Sequence, residues 1–270
     1  IQLETSDESF LTGIMQLQIF GSRVYILDPK RVLCFSTEGE YLFQFSRQGN
    51  GPGEFNHASD IAIDKENERL LILDAFAQRV LYFDLEGNYL ETLAIDTEIP
   101  LGLNRVFPLP DSLLLFVGLH QKDFILYCLK VNMILERFGG VEDCPPYFSP
   151  DYNVHLFESD AYIFPPFENK VYKVSRDGFI KHREWCFGKN DNTPAQIEEL
   201  KGRFRYWRDS RRRIMPNYLV GKGKYLNNMI LFSFENKRFV FAQIEFENDF
   251  SYVFIDKKTG DDFSFRSFEE

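Results

Sequence analysis

Apolar residues come along this chain in short bursts separated by turn-forming residues. Val24–Leu27 (VYIL), Val32–Phe35 (VLCF), Leu70–Leu73 (LLIL) and Val80–Phe83 (VLYF) are continuous runs, while Asp60–Asp64 (DIAID) alternates. Runs of this length, rich in β-branched and aromatic residues and bounded by Gly, Asp and Pro, predict strands. Helical spacing stands out once. Ile197, Leu200, Phe204 and Trp207 fall at steps of three and four, which predicts a helix over 193–213 with one apolar face. Thr193 and Gln196 have capping-box spacing at its start, and Pro194 takes the first helical position.

The bursts repeat. When Val24–Phe45 is set above Leu70–Leu93 with a two-residue gap after the Asp, the residues Ile26, Leu27, Asp28, Arg31, Val32, Leu33 and Phe35 meet Ile72, Leu73, Asp74, Arg79, Val80, Leu81 and Phe83. Glu38, Gly39, Tyr41 and Leu42 then meet Glu86, Gly87, Tyr89 and Leu90. Each copy reads as strand, Asp-opened turn, strand, Gly-ended turn, strand, with one further strand upstream. Asp accepts hydrogen bonds from nearby backbone N–H groups and so fixes a turn; Gly39 and Gly87 supply the positive φ of a tight hairpin. Four antiparallel strands in about 45 residues is the spacing of propeller blades. Weaker copies come after these, one with Asn132 in place of the turn glycine and one with Asp177-Gly178 restoring it. The expected fold is therefore an all-β propeller of four-stranded antiparallel blades near 14–46, 58–94, 104–138, 154–187 and 228–266, in one domain with a helical insertion at 193–213.

The run GNGPGEF, then DIAID, then LLILDAFAQRVLYFDLEGNYL resembles NHL-type repeats. The whole chain also resembles the six-bladed β-propeller envelope lipoproteins of gut anaerobes, a family of unassigned function. That resemblance implies an extracytoplasmic protein of the cell envelope or periplasm, held to a membrane only through a removed N-terminal anchor. It also implies six blades where five are visible; either a sixth lies outside this sequence or the count is one short.

Gly49–Gly53 is not a phosphate cradle. Such a loop opens a helix whose N–H groups converge on the anion, and a P-loop adds Lys-Ser/Thr. Here a strand comes next and that pair is missing, so the expectation is an interblade turn. The connections at 46–59, 94–103, 139–153 and 188–217 are long, whereas STEG, DLEG and SRDG are short. Propeller connectivity puts the long ones on one face, which becomes the expected binding face. On the helical insertion, Lys201, Arg203, Arg205, Arg208, Arg211, Arg212 and Arg213 stand against Glu198, Glu199 and Asp209. Three readings stay open, of which contact with nucleic acid or an anionic membrane is disfavoured by the acidic remainder of the chain. The arginines form a solvated face paired with the acidic body, or Arg203, Arg208, Arg211 and Arg212 grip an anionic ligand such as an acidic sugar, with Tyr206 and Trp207 stacking beside it.

The remaining chemistry is sparse. A net charge of −10 disfavours nucleic acid, and an aromatic content of 16% with 29 Phe suits face-to-face sheets. His57 and His155 are the axial candidates for ligand contact; His57, Asp60, Asn104 and His155 do not reach the ligand set that zinc or calcium needs. His182 falls on an outer strand. No metal site, cofactor or catalytic residue is expected, and no nucleophile elbow is present. Cys34 and Cys128 read as buried small hydrophobes, while Cys144 and Cys186 are candidates for a disulfide. The expected function is a non-enzymatic module that binds a small molecule, glycan or protein; the alternative is a metal-dependent hydrolase or lyase of lactonase type.

Overall fold

The computed structural model describes residues 1–45, 49–95, 103–118, 124–139, 154–165, 169–199, 228–246 and 249–265. Within them the strands gather into five four-stranded antiparallel sheets, each built from consecutive strands. The first holds β1–β4 (Gln16–Phe20, Arg23–Asp28, Arg31–Ser36, Tyr41–Phe45) and the second β5–β8 (Ala58–Asp64, Arg69–Asp74, Arg79–Asp84, Tyr89–Ala94). The third holds β9–β12 (Leu103–Leu109, Leu113–Gly118, Phe124–Cys128, Met133–Phe138). The fourth holds β13–β16 (Val154–Phe157, Asp160–Ile163, Lys170–Ser175, Gly178–Glu184) and the fifth β17–β20 (Asn228–Glu235, Phe239–Phe246, Asp249–Asp256, Asp262–Phe265). The repeat predicts this all-β set of five sheets. Two compact units divide the chain: Ile1–Leu119 with Phe124–Arg137, and Phe138–Glu270 with His120–Asp123.

In the first unit the continuous apolar runs become the middle strands. β2, β3, β6 and β7 are buried along nearly their whole length, whereas β1 and β4 alternate. Side chains of one strand point to opposite faces, so β6 feeds two cores. Leu70 and Ile72 pack with Tyr25, Leu27, Val32 and Cys34 of the first sheet; Leu71 and Leu73 pack with Val106, Leu114, Phe116 and Ile125 of the third. Cys34 and Cys128 are buried here as expected, and burial pushes the Cys34 thiol up to about 11.

The matched Asp and Arg of the repeat do more than open a turn. Asp28 accepts from Lys30 N in its own turn at 3.2 Å, and also from Thr12 N and Oγ1 at 2.8 Å each. Arg31 donates to the carbonyls of Glu8 and Phe10. The second copy repeats the device. Asp74 accepts from Asn56 N and Ala77 N at 3.4 Å each and pairs with Arg79 at 3.1 Å; Arg79 donates to the carbonyl of Glu54 at 2.8 Å and to those of Gly49 and Asn50 at 3.4 Å. Each pair thus holds the chain segment that leads into its own sheet. The glycine loop is one of the held segments, with the Glu54 carboxylate folded back onto Gly51 N at 2.9 Å. It is a hinge, fixed from inside and out. Gly39 and Gly87 take φ of 100° and 84° as their turns require, and Asn132 takes 52° at the corresponding place, where its side chain accepts from Tyr127 Oη at 2.6 Å. Asn enters the left-handed region at little cost, so the missing glycine does not break the repeat.

The first strands of these three sheets meet at Asp60, which is fully buried. Its Oδ2 accepts from Val106 N at 2.8 Å and is ion-paired with Arg105 at 3.0 Å; its Oδ1 accepts from Gln16 Nε2 at 3.2 Å. Burial pushes this carboxyl up to about 6 against the pull of Arg105 and those donors. In the second unit, Tyr162, Phe164, Val171 and Trp185 of the fourth sheet and its flanks pack on Val240, Ala242 and Ile244 of the fifth. The capping box forms. Thr193 N donates to Gln196 Oε1 at 2.9 Å and Gln196 N to Thr193 Oγ1 at 3.3 Å, opening a helix over 194–199. The rest of the helix predicted over 193–213 lies outside the described residues.

At Gly53, φ is +72° and an added Cβ would lie 2.8 Å from Tyr89 Cβ, whereas at Gly51 it would meet the flexible end of Glu54 at 3.0 Å. Gly53→Ala should therefore lose about 1–3 kcal/mol in urea unfolding and Gly51→Ala clearly less; equal midpoints for the two would remove the constraint. Asp60 has a raised folded pKa, so its contribution is fully present below the unfolded value of 3.8 and is lost as pH rises through about 6. Wild-type stability measured against Asp60→Asn should fall by roughly 1.4 kcal/mol per pH unit inside that window. A difference that stays flat from about pH 4 to 7 would contradict it.

Candidate functional site

β13 is short and its register sets the site. His155 is directly opposite Tyr162 of β14, and cross-strand neighbours on one face are in contact. Their rings stack at 5.0 Å with an interplanar angle of 11°, and His182 of β16 lies 4.8 Å from the Tyr162 ring at 56°. The facing wall comes from β17, where Ser233 and Glu235 are two residues apart and so share a face. Their register partners on β18, Ala242 and Val240, belong to the core that contains Tyr162, so this face looks onto the fourth sheet. Glu235 Oε2 accepts from Arg183 at 2.9 Å and from Lys257 Nζ at 3.2 Å, and Oε1 lies 3.4 Å from His182 Nε2. The Lys257 ammonium also lies 4.5 Å from the centre of the Phe157 ring.

Electrostatics separate these groups into charged and neutral sets. Burial works against the Glu235 charge, but hydrogen bonds and charge from Arg183 and Lys257 overcome it and hold the carboxyl below its usual pKa. Burial pushes His155 down to about 4 and lowers His182 as well, with the cations nearby adding to the effect and Glu235 opposing it. Tyr162 is pushed up to about 12 by burial, then by Glu235 and Asp160. At neutral pH the site therefore presents an unprotonated His155, an intact phenol, one carboxylate and two cations. Three polar atoms on its walls, His155 Nδ1, His155 Nε2 and Ser233 Oγ, are buried without a hydrogen-bond partner. Buried polar atoms in folded proteins are nearly always satisfied. The unpartnered atoms of His155 and Ser233 are therefore exceptions to that rule, side by side with an ion-paired carboxylate.

Of the sequence candidates, His155 is central here. His57 belongs to the other unit, where it is exposed and lies edge-on to Phe76 at 5.1 Å, a ring that is itself 78% exposed. Arg203, Tyr206, Trp207, Arg208, Arg211 and Arg212 lie outside the described residues, as does Cys144 of the candidate disulfide; Cys186 is exposed. Asp60 is a buried structural carboxylate rather than a ligand presented to solvent, and among the described residues no three His, Cys, Asp or Glu side chains are grouped to hold a metal. Sequence reasoning set His182 aside for its outer strand and missed Tyr162, Arg183, Ser233, Glu235 and Lys257. One signal was available: Ser233 and Glu235 put two polar groups at a two-residue step in the otherwise apolar run ILFSFE.

Comparison with known proteins agrees with the fold. The structure of BF0058 from Bacteroides fragilis NCTC 9343, named as an exported protein, matches with a TM-score of 0.72 and 17% identity over 98% of this chain and 74% of that one. The extracellular domain of BT4673 from B. thetaiotaomicron, named as a one-component system, matches with a TM-score of 0.54 and 11% identity over 98% of this chain and 32% of that one. The dihydro-heme d1 dehydrogenase NirN matches with a TM-score of 0.51 and 9% identity over 91% of this chain and 46% of that one. These neighbours include an enzyme, and at such identities they show a β-propeller fold alone. Among curated proteins the sequence finds no match. The family of domains of unknown function DUF4934 matches residues 1–268, and this chain belongs to that family.

Proposed function

We propose that this chain is a non-enzymatic binding propeller of the cell envelope, a six-bladed lipoprotein of the kind its sequence resembles, and that it takes a small molecule, glycan or protein. The observation that carries the reading is the set of buried, unpartnered polar atoms on His155 and Ser233 beside a carboxylate already engaged by Arg183 and Lys257. Catalysis asks for the opposite arrangement, in which a base or nucleophile is left free and is oriented by a third group. Here the carboxylate is engaged, and neither ring nitrogen of His155 has an orienting partner. The names of BF0058 and BT4673 as exported and extracellular support an extracytoplasmic setting, and among the described residues no helix is long and apolar enough to cross a membrane. The basic stretch at 201–213, with Arg203, Arg208, Arg211, Arg212, Tyr206 and Trp207, supplies a second contact region for an anionic ligand.

Thermal-shift panels of glycans, peptides and small metabolites test this. At a hundred times its Kd a ligand adds about 2.7 kcal/mol of stability, and at least one compound should raise the melting temperature of the wild type but not of His155→Gln. Silent panels, together with turnover of a lactone or ester by protein carrying stoichiometric zinc or calcium, would replace this reading with the hydrolase.

A further inference from the structure

We infer that the niche of His155, Ser233 and Glu235 selects a ligand bearing a single carboxylate, with Lys257 and Arg183 supplying the charge and His155 and Ser233 the neutral hydrogen bonds. This rests on the binding reading above and deepens it. The argument is one of complementarity. Lys257 carries three N–H donors and Arg183 five, and among the described residues the Glu235 carboxylate is the acceptor they share. Among the described residues, two cations against one anion leave the niche with one positive charge in excess, in a chain whose net charge is −10. Charge-assisted hydrogen bonds to a carboxylate are the strong ones, and a partly desolvated cation is most stable when matched rather than overmatched. A dianionic phosphate would reverse the local sign beside the ionised Glu235. A neutral sugar would leave the excess charge unanswered. One carboxylate balances it.

The neutral donors fit the same guest. His155 is deprotonated at neutral pH, so one ring nitrogen donates and the other accepts, and the Ser233 hydroxyl rotates to do either. A carboxylate oxygen takes the donated bonds, and a hydroxyl elsewhere on the ligand can meet the accepting nitrogen. Among the described residues the groups facing His155 are Tyr162, His182 and Arg183 of the fourth sheet, Glu235 of the fifth and Lys257 of the turn after β19. Among these only Glu235 carries negative charge, and cations or an imidazole already lie against both of its oxygens. Repulsion of an entering carboxylate is thereby reduced where it would otherwise be greatest.

Calorimetric titration of the full chain with glucuronate, acetate, glucose and inorganic phosphate tests the charge class. Glucuronate and acetate should bind, glucose and phosphate at least tenfold more weakly, and Lys257→Met should weaken glucuronate at least tenfold while Arg183 still pairs with Glu235. Imidazole resonances of His155 in the wild type, followed by NMR during the acetate titration, give a readout that needs no variant; they should shift saturably. Glucose binding as tightly as glucuronate, with His155 still shifting, would overturn the carboxylate inference and leave the binding function standing. An unmoved His155 with every probe, or glucuronate affinity unchanged in Lys257→Met, would overturn it as well, the former taking the niche out of the binding function altogether.

Discussion

No sheet of the first unit can stand alone, because its middle strands are apolar on both faces. β2, β3, β6 and β7 leave almost nothing to water, and a sheet with two greasy faces is stable only between two others. Burying a Leu or Ile side chain contributes about 1.5–3 kcal/mol, and alternate residues of β6 collect that contribution from opposite neighbours. Stacking is thus written into single strands. The Asp–Arg pairs then set where each new sheet begins, since they hold the incoming segment by its backbone rather than by its side chains. That explains why the pairs recur while the segments they hold, 8–12 and 49–56, share so little sequence.

Asp60 shows the limit of such polar fastening. It joins three first strands through Gln16, Val106 and Arg105, yet burial still leaves its charge disfavoured. A buried ion pair of this kind is weak evidence of added stability, because desolvation offsets much of its attraction. In the second unit the same problem is solved differently. There Glu235 lies at the end of β17, within reach of cations from the fourth sheet and from the turn after β19, and it stays ionised.

Much of the fold was legible because it is periodic. Matching residues 46 to 48 positions apart exposed the repeat, the Gly39 and Gly87 turns came from chirality, and even Asn132 is explained by a backbone region that asparagine tolerates. The hinge role of Gly49–Gly53 was legible from the strand that succeeds it, although the reach of Arg79 into that loop was not. The niche was largely hidden. His155 was singled out, but Glu235 and Lys257, the charged groups near it, come from a segment that begins only at Asn228, and nothing local in either segment points to the other. Only stacking brings them together, and a pattern of strands does not say which polar residues will face each other across a stack.

A polar niche inside a sheet stack must be tolerated before it can be used. An apolar residue at Ser233 would have extended the core of Val240 and Ala242 without leaving a hydroxyl unanswered, and the burial of His155 deprives its ring of two hydrogen bonds to water. Each uncompensated group of this kind costs about 1–3 kcal/mol, a large share of the roughly 5–15 kcal/mol that holds a domain folded. Neither residue strengthens the stack where it sits: His155 contributes a ring to Tyr162 that Phe would contribute as well. On the proposed binding function, their cost is offset when a ligand supplies the missing hydrogen bonds. Among the described residues that destabilising polarity is concentrated beside Glu235 and its two cations, and it is the physical ground on which the binding proposal stands.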